Sequence, residues 1–544
     1  MEDASAHRSD VGIALLLGAS YVGLLLATVS DLGYARDEGF YFHAAERYAA
    51  WLELLAQAPS EALERSALDG AFSTNREHPV LAKILFALSW LAHRRWNIFP
   101  DEGTSFRFPG MCFAGLAVGL CYLWGVRSWS RAAGAMAALL FALVPTTFYH
   151  GHLACFDVPI TAMWLLVAFC YHQSLVRGSW RWALATGVTF GLALNTKHNS
   201  WFLPIAFVIH ALLSRGAGLR RSFVGGRISL PLALAAMAIV GPLVFVGLWP
   251  YVWYDTAARL ASYVQFHTHH DYYNIEYLGV THWKPPFPRS YAWGMTAATV
   301  PTVTLVLTMV GAVVGLRTPG TTPGSVLLLW ALGVLVNYAP WLSPNTPIFG
   351  GTKHWMTAYP FLALFAGVGF DWVGKKLAEA VSEARQKMVP WVVGAMVGSA
   401  PLVETLRAHP WGLAAYTPLV GGTPGAATLG LNRSFWGYTT GSVVDVLNER
   451  VPPNGTVFVH DTAWESWRML QRDGRLRQDL RGVFHLDGVD AALYHHEQHM
   501  SGVDYQIWVA LETTTPTVIR GLDGVPTIWV YLRPGRAPRQ EPCR

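Results

Sequence analysis

The segment VGIALLLGASYVGLLLATVS, residues 11–30, is followed directly by DLGYARDEGF, residues 31–40. The first segment is almost wholly apolar and has the length that a helix needs to cross a bilayer. The second segment places two carboxylates, Asp37 and Glu38, just beyond the end of that helix. Ionisable groups beside a membrane span are costly to desolvate, so their presence indicates a functional site. The sequence therefore predicts a membrane protein with chemistry at one end of its first span.

The composition agrees with this prediction. Of 544 residues, 52% are hydrophobic and only 14% are charged, which is too apolar for an ordinary soluble protein. The net charge of +5 is small and its basic residues are spread between the apolar stretches, so nothing favours a nucleic-acid partner. The five cysteines form no CxxC pair, which argues against a disulfide framework or a thiolate metal site.

The fold class that we predict is a polytopic all-α membrane domain, residues 1–405, followed by a small soluble α/β domain, residues 406–544. The membrane domain is predicted to have eleven spans, at residues 11–30, 108–126, 133–149, 159–175, 180–195, 199–214, 228–249, 294–316, 325–342, 355–374 and 389–405. Residues 180–195 and 199–214 are short, which leaves a re-entrant pair open as an alternative. In the soluble domain we expect strands at 457–460, 506–510 and 527–532 and helices at 442–450 and 463–471.

Two outer loops are predicted, at residues 31–107 and 250–293. The first is expected to hold two amphipathic helices on the membrane surface, one starting at Asp37 and Glu38 and one over residues 78–95. With a cytoplasmic N-terminus, most basic residues of the short loops fall inside the cell, namely Arg127, Arg131, Arg177, Arg181, Arg215, Arg220, Arg221, Arg227, Arg317, Lys375, Lys376, Arg385 and Lys387. We therefore expect a bacterial inner-membrane protein whose outer loops and C-terminal domain face the periplasm.

The outer ends of the predicted spans hold most of the chemically interesting residues. Asp157 follows the third span, Lys197 joins the fifth to the sixth, and Lys353 and His354 open the tenth. The loop 250–293 adds many aromatic residues and histidines, which could be stacking platforms for sugar rings or an aromatic belt at the interface. This one-sided placement predicts a site that is open to both lipid and aqueous substrates.

Three of these motifs resemble a known family. The Asp37-Glu38 pair, the stretch HPVLAK at 78–83 and the stretch DVP at 157–159 are similar to motifs of the protein O-mannosyltransferases, although Val80 and Ala82 depart from that pattern. The layout also resembles that of the lipid A aminoarabinose transferases, and KHWMTAYP at 353–360 is similar to their basic segment. The resemblance, over about residues 31–375, implies a type-C glycosyltransferase that uses a polyprenyl-phosphate sugar and inverts the sugar carbon.

The chemistry of such a transfer assigns roles to these residues. A hydroxyl acceptor must lose its proton to a carboxylate, and the resemblance makes Asp37 that base, with Glu38 and Asp157 beside it. The leaving group is a lipid phosphate, which needs positive charge and N–H donors. The predicted donors to the phosphate are His78, Lys197, Arg289, Lys353 and His354. The partners are then a polyprenyl-phosphate-linked sugar, membrane lipid, and a glycan, glycolipid or protein acceptor.

Other interpretations of the same residues stay open. Asp37, Glu38 and Asp157 could cap helices, and Lys197 and Lys353 could anchor span ends at the interface. No cofactor is firmly indicated, but His267, His269 and His270 have a spacing that could hold a divalent metal.

Two other functional classes compete with the transferase. A multi-span transporter or lipid flippase would need several polar residues at mid-membrane, of which His210 and Asn337 are the main examples here. In a non-catalytic envelope assembly protein, any activity would survive the loss of both Asp37 and Asp157. The C-terminal domain could recognise the acceptor, cover the site as a lid, or only bind cell-wall material.

Overall fold

A computed structural model describes residues 4–216, 231–317 and 326–535 of the chain, most of which are helical. The predicted inner-loop residues Arg220, Arg221 and Arg227 lie outside the described residues, as does the side chain of Arg215. The α-helices are Ala4–Thr28, Arg36–Gln57, Pro59–Ala62, Arg65–Phe72, Leu81–Trp96, Glu102–Ser128, Arg131–Ala142, Pro145–Gly151, Asp157–Arg177, Trp180–Leu194, Leu203–Gly216, Leu232–Leu248, Thr256–Thr268, Tyr291–Thr299, Thr302–Arg317, Val326–Tyr338, Tyr359–Glu379, Glu383–Gln386, Val389–Ala408, Gly422–Thr428, Val444–Arg450, Trp464–Arg472 and Ser501–Leu511.

Several helices are long and apolar enough to cross a membrane. Among the described residues there are five, namely Arg8–Asp31, Glu102–Ser128, Asp157–Arg177, Met356–Glu379 and Val389–Ala408. The number rises to seven if each of two bent helix pairs is counted as one span. Two shorter apolar helices, Leu232–Leu248 and Val326–Leu342, occupy further predicted spans. The two short predicted spans form helices of only 15 and 14 residues, Trp180–Leu194 and Leu203–Gly216. The described part of the chain therefore has several full-length spans, but not eleven.

Two predicted spans are broken near a proline. Residues 133–149 form Arg131–Ala142 and Pro145–Gly151, bent by 73°, and residues 294–316 form Tyr291–Thr299 and Thr302–Arg317, bent by 116°. Pro145 and Pro301 stand at the two breaks and have no N–H to continue a helix. Hydropathy alone could not reveal these bends, because a broken apolar segment is as apolar as a straight one.

Small residues let the membrane helices approach closely. The first span meets the helix Glu102–Ser128 where Gly18 faces Gly115, and a Cβ on Gly18 would lie 2.7 Å from the carbonyl oxygen of Gly115. Such contacts between small residues are typical of helix packing in membranes. There the hydrophobic effect does not drive helices together, and close van der Waals packing of the backbones does. This packing holds the first span against the helix Glu102–Ser128.

The first predicted outer loop is helical, as expected. Its first helix begins at Arg36, one residue before Asp37, and packs against Leu81–Trp96. Ala44, Tyr48 and Trp51 are buried as the amphipathic pattern predicts, whereas Phe40 is 47% exposed. On its other side this helix contacts a C-terminal helix, since a Cβ on Gly39 would lie 3.0 Å from Glu465 Cβ. Other helices of the protein therefore cover much of the surface of the helix Arg36–Gln57.

The C-terminal part contains the main β-sheet of the described residues. The strands are β1 Ile275–Tyr277, β2 Val280–His282, β3 Thr456–Phe458, β4 Arg481–Val483, β5 Ala491–His495, β6 Val518–Leu522 and β7 Val525–Leu532. β1 and β2 form a separate antiparallel hairpin, and the larger sheet has the order β4-β3-β5-β7-β6, in which β3 is parallel to β4 and β5 and β7 is antiparallel to its neighbours.

The predicted strand at 506–510 is wrong, because these residues lie in the helix Ser501–Leu511. Ile507 and Leu511 are both fully buried four residues apart, which is a helical spacing that a five-residue apolar run does not distinguish from a strand. The predicted strands 457–460 and 527–532 overlap β3 and β7, and both predicted helices are present.

The C-terminal part shares one hydrophobic core with the first outer loop. That core joins Tyr48 and Phe72 of the loop to Trp467, Val457 and Val530 of the sheet region. A hydrogen bond of 2.6 Å from Arg475 Nη1 to the carbonyl of Leu32 continues the contact to the end of the first span. The C-terminal part therefore holds the segment that carries Asp37.

Candidate active site

A cavity of about 730 Å³ lies between the predicted outer ends of the helices and the C-terminal part. Asp37, His78, Asp157, Lys197 and Lys353 all line it. These residues come from five separate places in the sequence, and the fold brings them to one space. The one-sided placement that the sequence suggests is therefore a real clustering in three dimensions.

Asp37 forms an ion pair with Lys353 at the wall of this cavity. Lys353 Nζ lies 3.1 Å from Asp37 Oδ2, and the lysine side chain is only 6% exposed. The ammonium also lies 4.0 Å from the centre of the Trp436 ring, which is a cation–π distance. Lys353 is thus a buried and oriented cation beside a carboxylate, which is unlike a lysine that extends towards the membrane surface.

Asp157 forms a second pair of the same kind. Its Oδ1 lies 2.7 Å from Lys197 Nζ, and both side chains are buried. His150 Nδ1 lies 3.7 Å from Oδ2 of the same carboxylate. Asp157 stands in the first turn of its helix, and the N-cap residue of that helix is Phe156. Its contacts are those of a charge partner for Lys197.

Glu38 is turned away from the cavity and is fully buried. Arg107 Nε and Nη2 donate to its two oxygens at 2.7 Å each. The backbone N–H groups of Ala35 and Ala154 donate to the same carboxylate at 2.9 and 3.0 Å. Because Ala35 precedes Asp37 and Ala154 precedes Asp157, Glu38 joins the two segments that carry the cavity's carboxylates.

His78 lies in a pocket of aromatic rings, 5.0 Å from the centre of Phe156 and 5.9 Å from that of Tyr41. Burial lowers the pKa of His78 well below its usual value, so the imidazole is neutral at pH 7 and offers one N–H donor. Lys83, five residues later, donates to the carbonyls of Asn75 and His78 at 2.7 and 2.8 Å. The lysine of the HPVLAK stretch therefore holds the loop that presents His78.

Two predicted phosphate donors have different placements. His354 lines the cavity, but its Nε2 lies 3.0 Å from the backbone nitrogen of Phe349, so it shapes the loop before Lys353. Arg289 is exposed and does not line the cavity. The structure therefore does not bring Arg289 to the cavity that Lys197 and Lys353 line.

The three histidines proposed as metal ligands are not brought together. His267 Nε2 lies 2.9 Å from the carbonyl oxygen of Glu77, and the His270 ring stacks on Phe349 at 4.5 Å. His269 is exposed, does not line the cavity and contacts Thr268. The close spacing of these histidines in the sequence did not predict a shared site, because they lie at the end of a helix, where neighbouring side chains point in different directions.

Residues that the sequence did not single out also line the cavity. They are Arg36, Glu276, Asn432, Trp436, Glu497 and His499, most of them from the C-terminal part. Burial raises the pKa of Glu497 to about 7, since a carboxylate is less stable away from water. No short motif marked these residues, and only the fold shows that the C-terminal part belongs to the site.

Comparison with known proteins gives one partial match in sequence. Residues 78–245 match the family described as dolichyl-phosphate-mannose-protein mannosyltransferase, and this range includes the HPVLAK and DVP stretches and Lys197. No curated protein matches the chain at a significant level.

Solved structures give a match over nearly the whole chain. The apo crystal structure of ArnT from Cupriavidus metallidurans has a TM-score of 0.50 at 13% identity and covers 95% of this chain and 97% of that one. The same ArnT bound to undecaprenyl phosphate has a TM-score of 0.49 at 15% identity, covering 95% and 98%. The apo oligosaccharyltransferase of Archaeoglobus fulgidus has a TM-score of 0.45 at 13% identity, covering 73% and 56%.

The family match contains the motifs at residues 78–83 and 157–159, whereas the pair at residues 37–38 lies before it. At such low identity the ArnT match shows the fold, and the family match shows similarity over residues 78–245. The resemblance to type-C glycosyltransferases is thereby confirmed, in sequence over residues 78–245 and in fold over almost the whole chain.

Proposed function

We propose that this protein transfers a sugar, with inversion, from a polyprenyl-phosphate carrier to a hydroxyl group of an acceptor. The observation that carries this proposal is that two carboxylate–lysine pairs, Asp37–Lys353 and Asp157–Lys197, line one cavity. The partial match to a family named for dolichyl-phosphate-mannose donors supports the same class of substrate. The acceptor can be a glycan, a glycolipid or a protein.

Asp37 is the general base in this proposal. The acceptor oxygen attacks the anomeric carbon while its proton passes to the carboxylate of Asp37, which stands in the cavity wall. The bond from the anomeric carbon to the phosphate oxygen breaks on the opposite side, and its electron pair leaves with the lipid phosphate. Attack from the opposite side inverts the configuration at that carbon.

The lysines stabilise the charge that forms on the phosphate. Lys353 and Lys197 are buried cations in the same cavity, where their attraction to a phosphate is stronger than it would be in water. His78 adds a neutral N–H donor from the aromatic pocket nearby. Asp157 keeps Lys197 in place, so it acts as a positioning residue, and Glu38 positions the segment that carries Asp37.

The proposed reaction can be tested before either the sugar or the acceptor is identified. A strain that lacks the protein is complemented with wild type, and its surface glycans, glycolipids and glycoproteins are compared by mass spectrometry. We expect one class of molecules to lose a single sugar mass in the deletion strain and to regain it on complementation. Identical profiles in the two strains, under conditions in which the protein is made, would contradict the proposal.

Gly350 offers a test of the position of Lys353. It has φ +72°, and a Cβ there would collide with Lys353 Cε and lie 2.8 Å from its Nζ. We expect Gly350→Ala to move the ammonium from Asp37 and to lower the transfer rate by about 10²-fold, since small displacements in a site cost that much. Gly524→Ala is the matched control, because Gly524 has φ +77° and open space around it. Equal transfer rates for the two variants would contradict the expectation that the position of Lys353 sets the rate.

We further infer that the cavity and the C-terminal part face the periplasm of a bacterial inner membrane. The basic residues of the short loops support this orientation, because they lie at the other ends of the spans. A reporter that is active only outside the cytoplasm should be active when fused at the C-terminus and silent when fused after Gly178. The reverse pattern would place the cavity in the cytoplasm and contradict the orientation.

A further inference from the structure

Three potential metal ligands meet at the edge of the cavity, and the proposed transfer does not use them. They are Glu276 on β1, and Glu497 and His499 just before the last helix of the C-terminal part. One ligand atom from each lies within 4.8 Å of the other two. This cluster therefore joins the hairpin β1–β2 to the C-terminal part across the cavity wall.

The spacing of the three groups suits a single cation. His499 Nδ1 lies 3.1 Å from Glu276 Oε1 and 3.8 Å from Glu497 Oε2. Ligands about 2.1 Å from a tetrahedral zinc ion lie about 3.4 Å from one another, so these distances bracket the expected value. Asn274 Nδ2 lies 3.0 Å from the same His499 nitrogen. A cation at this nitrogen would displace the Asn274 amide, or the amide would turn and offer its oxygen to the cation.

His499 is the ion-pair partner of both buried carboxylates of the cluster. Glu276 and Glu497 are 4% and 7% exposed. Among the described residues no lysine or arginine nitrogen forms an ion pair with either carboxylate, and the nearby Arg36 pairs with Asp461. Two adjacent buried carboxylates are unfavourable unless a positive charge offsets them.

An independent observation comes from Asn432, which also lines the cavity and lies beside Glu497. Its side-chain oxygen is buried and accepts no hydrogen bond within the described part of the chain. Buried polar atoms normally have a partner, so this oxygen is available as a ligand atom beside Glu497.

We propose that Glu276, Glu497 and His499 bind one divalent transition-metal cation. A set of two carboxylate oxygens and one imidazole nitrogen suits Zn²⁺ or Mn²⁺, with Asn432 or water in the remaining position. The cation would fasten the hairpin to the C-terminal part and so fix the wall of the cavity. It is separate from Asp37 and Asp157, whose charges are already offset by lysines, and it does not rest on the proposed transfer.

The test uses the full-length protein in detergent, treated with a chelator and then dialysed against Zn²⁺ or Mn²⁺. We expect about one cation per chain in the wild type and a Kd that rises by at least about tenfold in Glu497→Gln and His499→Ala. His485→Ala is the control, because His485 is exposed on the same domain and outside the cavity lining. No tight binding by the wild type, or equal binding by all four proteins, would overturn the proposal.

A second measurement needs no variant, in case the substitutions impair folding. Electron spin-echo spectroscopy of the Mn²⁺-loaded wild type detects nitrogen nuclei bound to the ion. We expect the signature of one imidazole nitrogen, from His499. Bound Mn²⁺ without a nitrogen ligand would be an adventitious ion only, and would overturn the proposal as well.

Discussion

Asp37→Asn is expected to lower the rate of sugar transfer by about 10²- to 10⁴-fold, which is the usual contribution of a general base. An amide has nearly the shape of a carboxylate but cannot take the acceptor's proton at neutral pH. It also removes the negative charge that faces Lys353 Nζ at 3.1 Å. The measurement is the restoration of the sugar modification by mass spectrometry, with the rate followed in membranes from the complemented strain.

Asp31→Asn is the matched control for this variant. Asp31 lies six residues earlier in the same loop, its side chain is 53% exposed, and it pairs with His409 outside the cavity lining. We expect it to transfer sugar at the wild-type rate. If Asp37→Asn inserts, remains folded and transfers sugar as fast as Asp31→Asn, Asp37 is not the base.

The carboxylates of the site could be predicted from the sequence because membrane burial makes charge conspicuous. Asp37 and Asp157 stand beside apolar segments, where an unneeded carboxylate would be costly. Lys197 and Lys353 could be named for the same reason, although their partners could not. Which lysine pairs with which carboxylate depends on how distant helices pack, and no local pattern records that.

Other parts of the site had no such signal. Arg289 is as basic as Lys353, but it is exposed and outside the cavity lining, and sequence position alone does not show which side chains the fold brings to the cavity. Glu497 and His499 lie in a region of ordinary soluble composition, where charged residues are common and a single one is not informative.

The fold, like the site, could be predicted from the sequence only in part. Apolar length predicted where membrane helices lie, but the bends at Pro145 and Pro301 depend on geometry that hydropathy does not contain.

The transporter alternative rested on His210 and Asn337. Asn337 accepts a hydrogen bond from Thr357 Oγ1 at 2.7 Å, and His210 Nδ1 lies 3.1 Å from Tyr171 Oη. These polar groups are thus engaged in helix packing.

Glu38→Gln is expected to destabilise the protein and to lower transfer, although Glu38 does not face the cavity. Loss of its charge leaves Arg107 buried without a counter-ion, and breaking a buried ion pair in this way costs about 3–5 kcal/mol. The amide also cannot accept all the hydrogen bonds from Arg107, Ala35 and Ala154 that converge on the carboxylate. Thermal unfolding in detergent, followed by size-exclusion chromatography after heating, measures the loss.

Glu53→Gln provides the comparison, because Glu53 is on the same helix and forms an exposed pair with Arg94 at 3.6 Å. Exposed pairs contribute at most about 1 kcal/mol, so its unfolding temperature should stay near that of the wild type. Replacing both Glu38 and Arg107 by apolar residues should not restore stability, since the N–H groups of Ala35 and Ala154 would then lack an acceptor. If Glu38→Gln unfolds at the same temperature as Glu53→Gln, the buried pair does not hold the segments of Asp37 and Asp157 together.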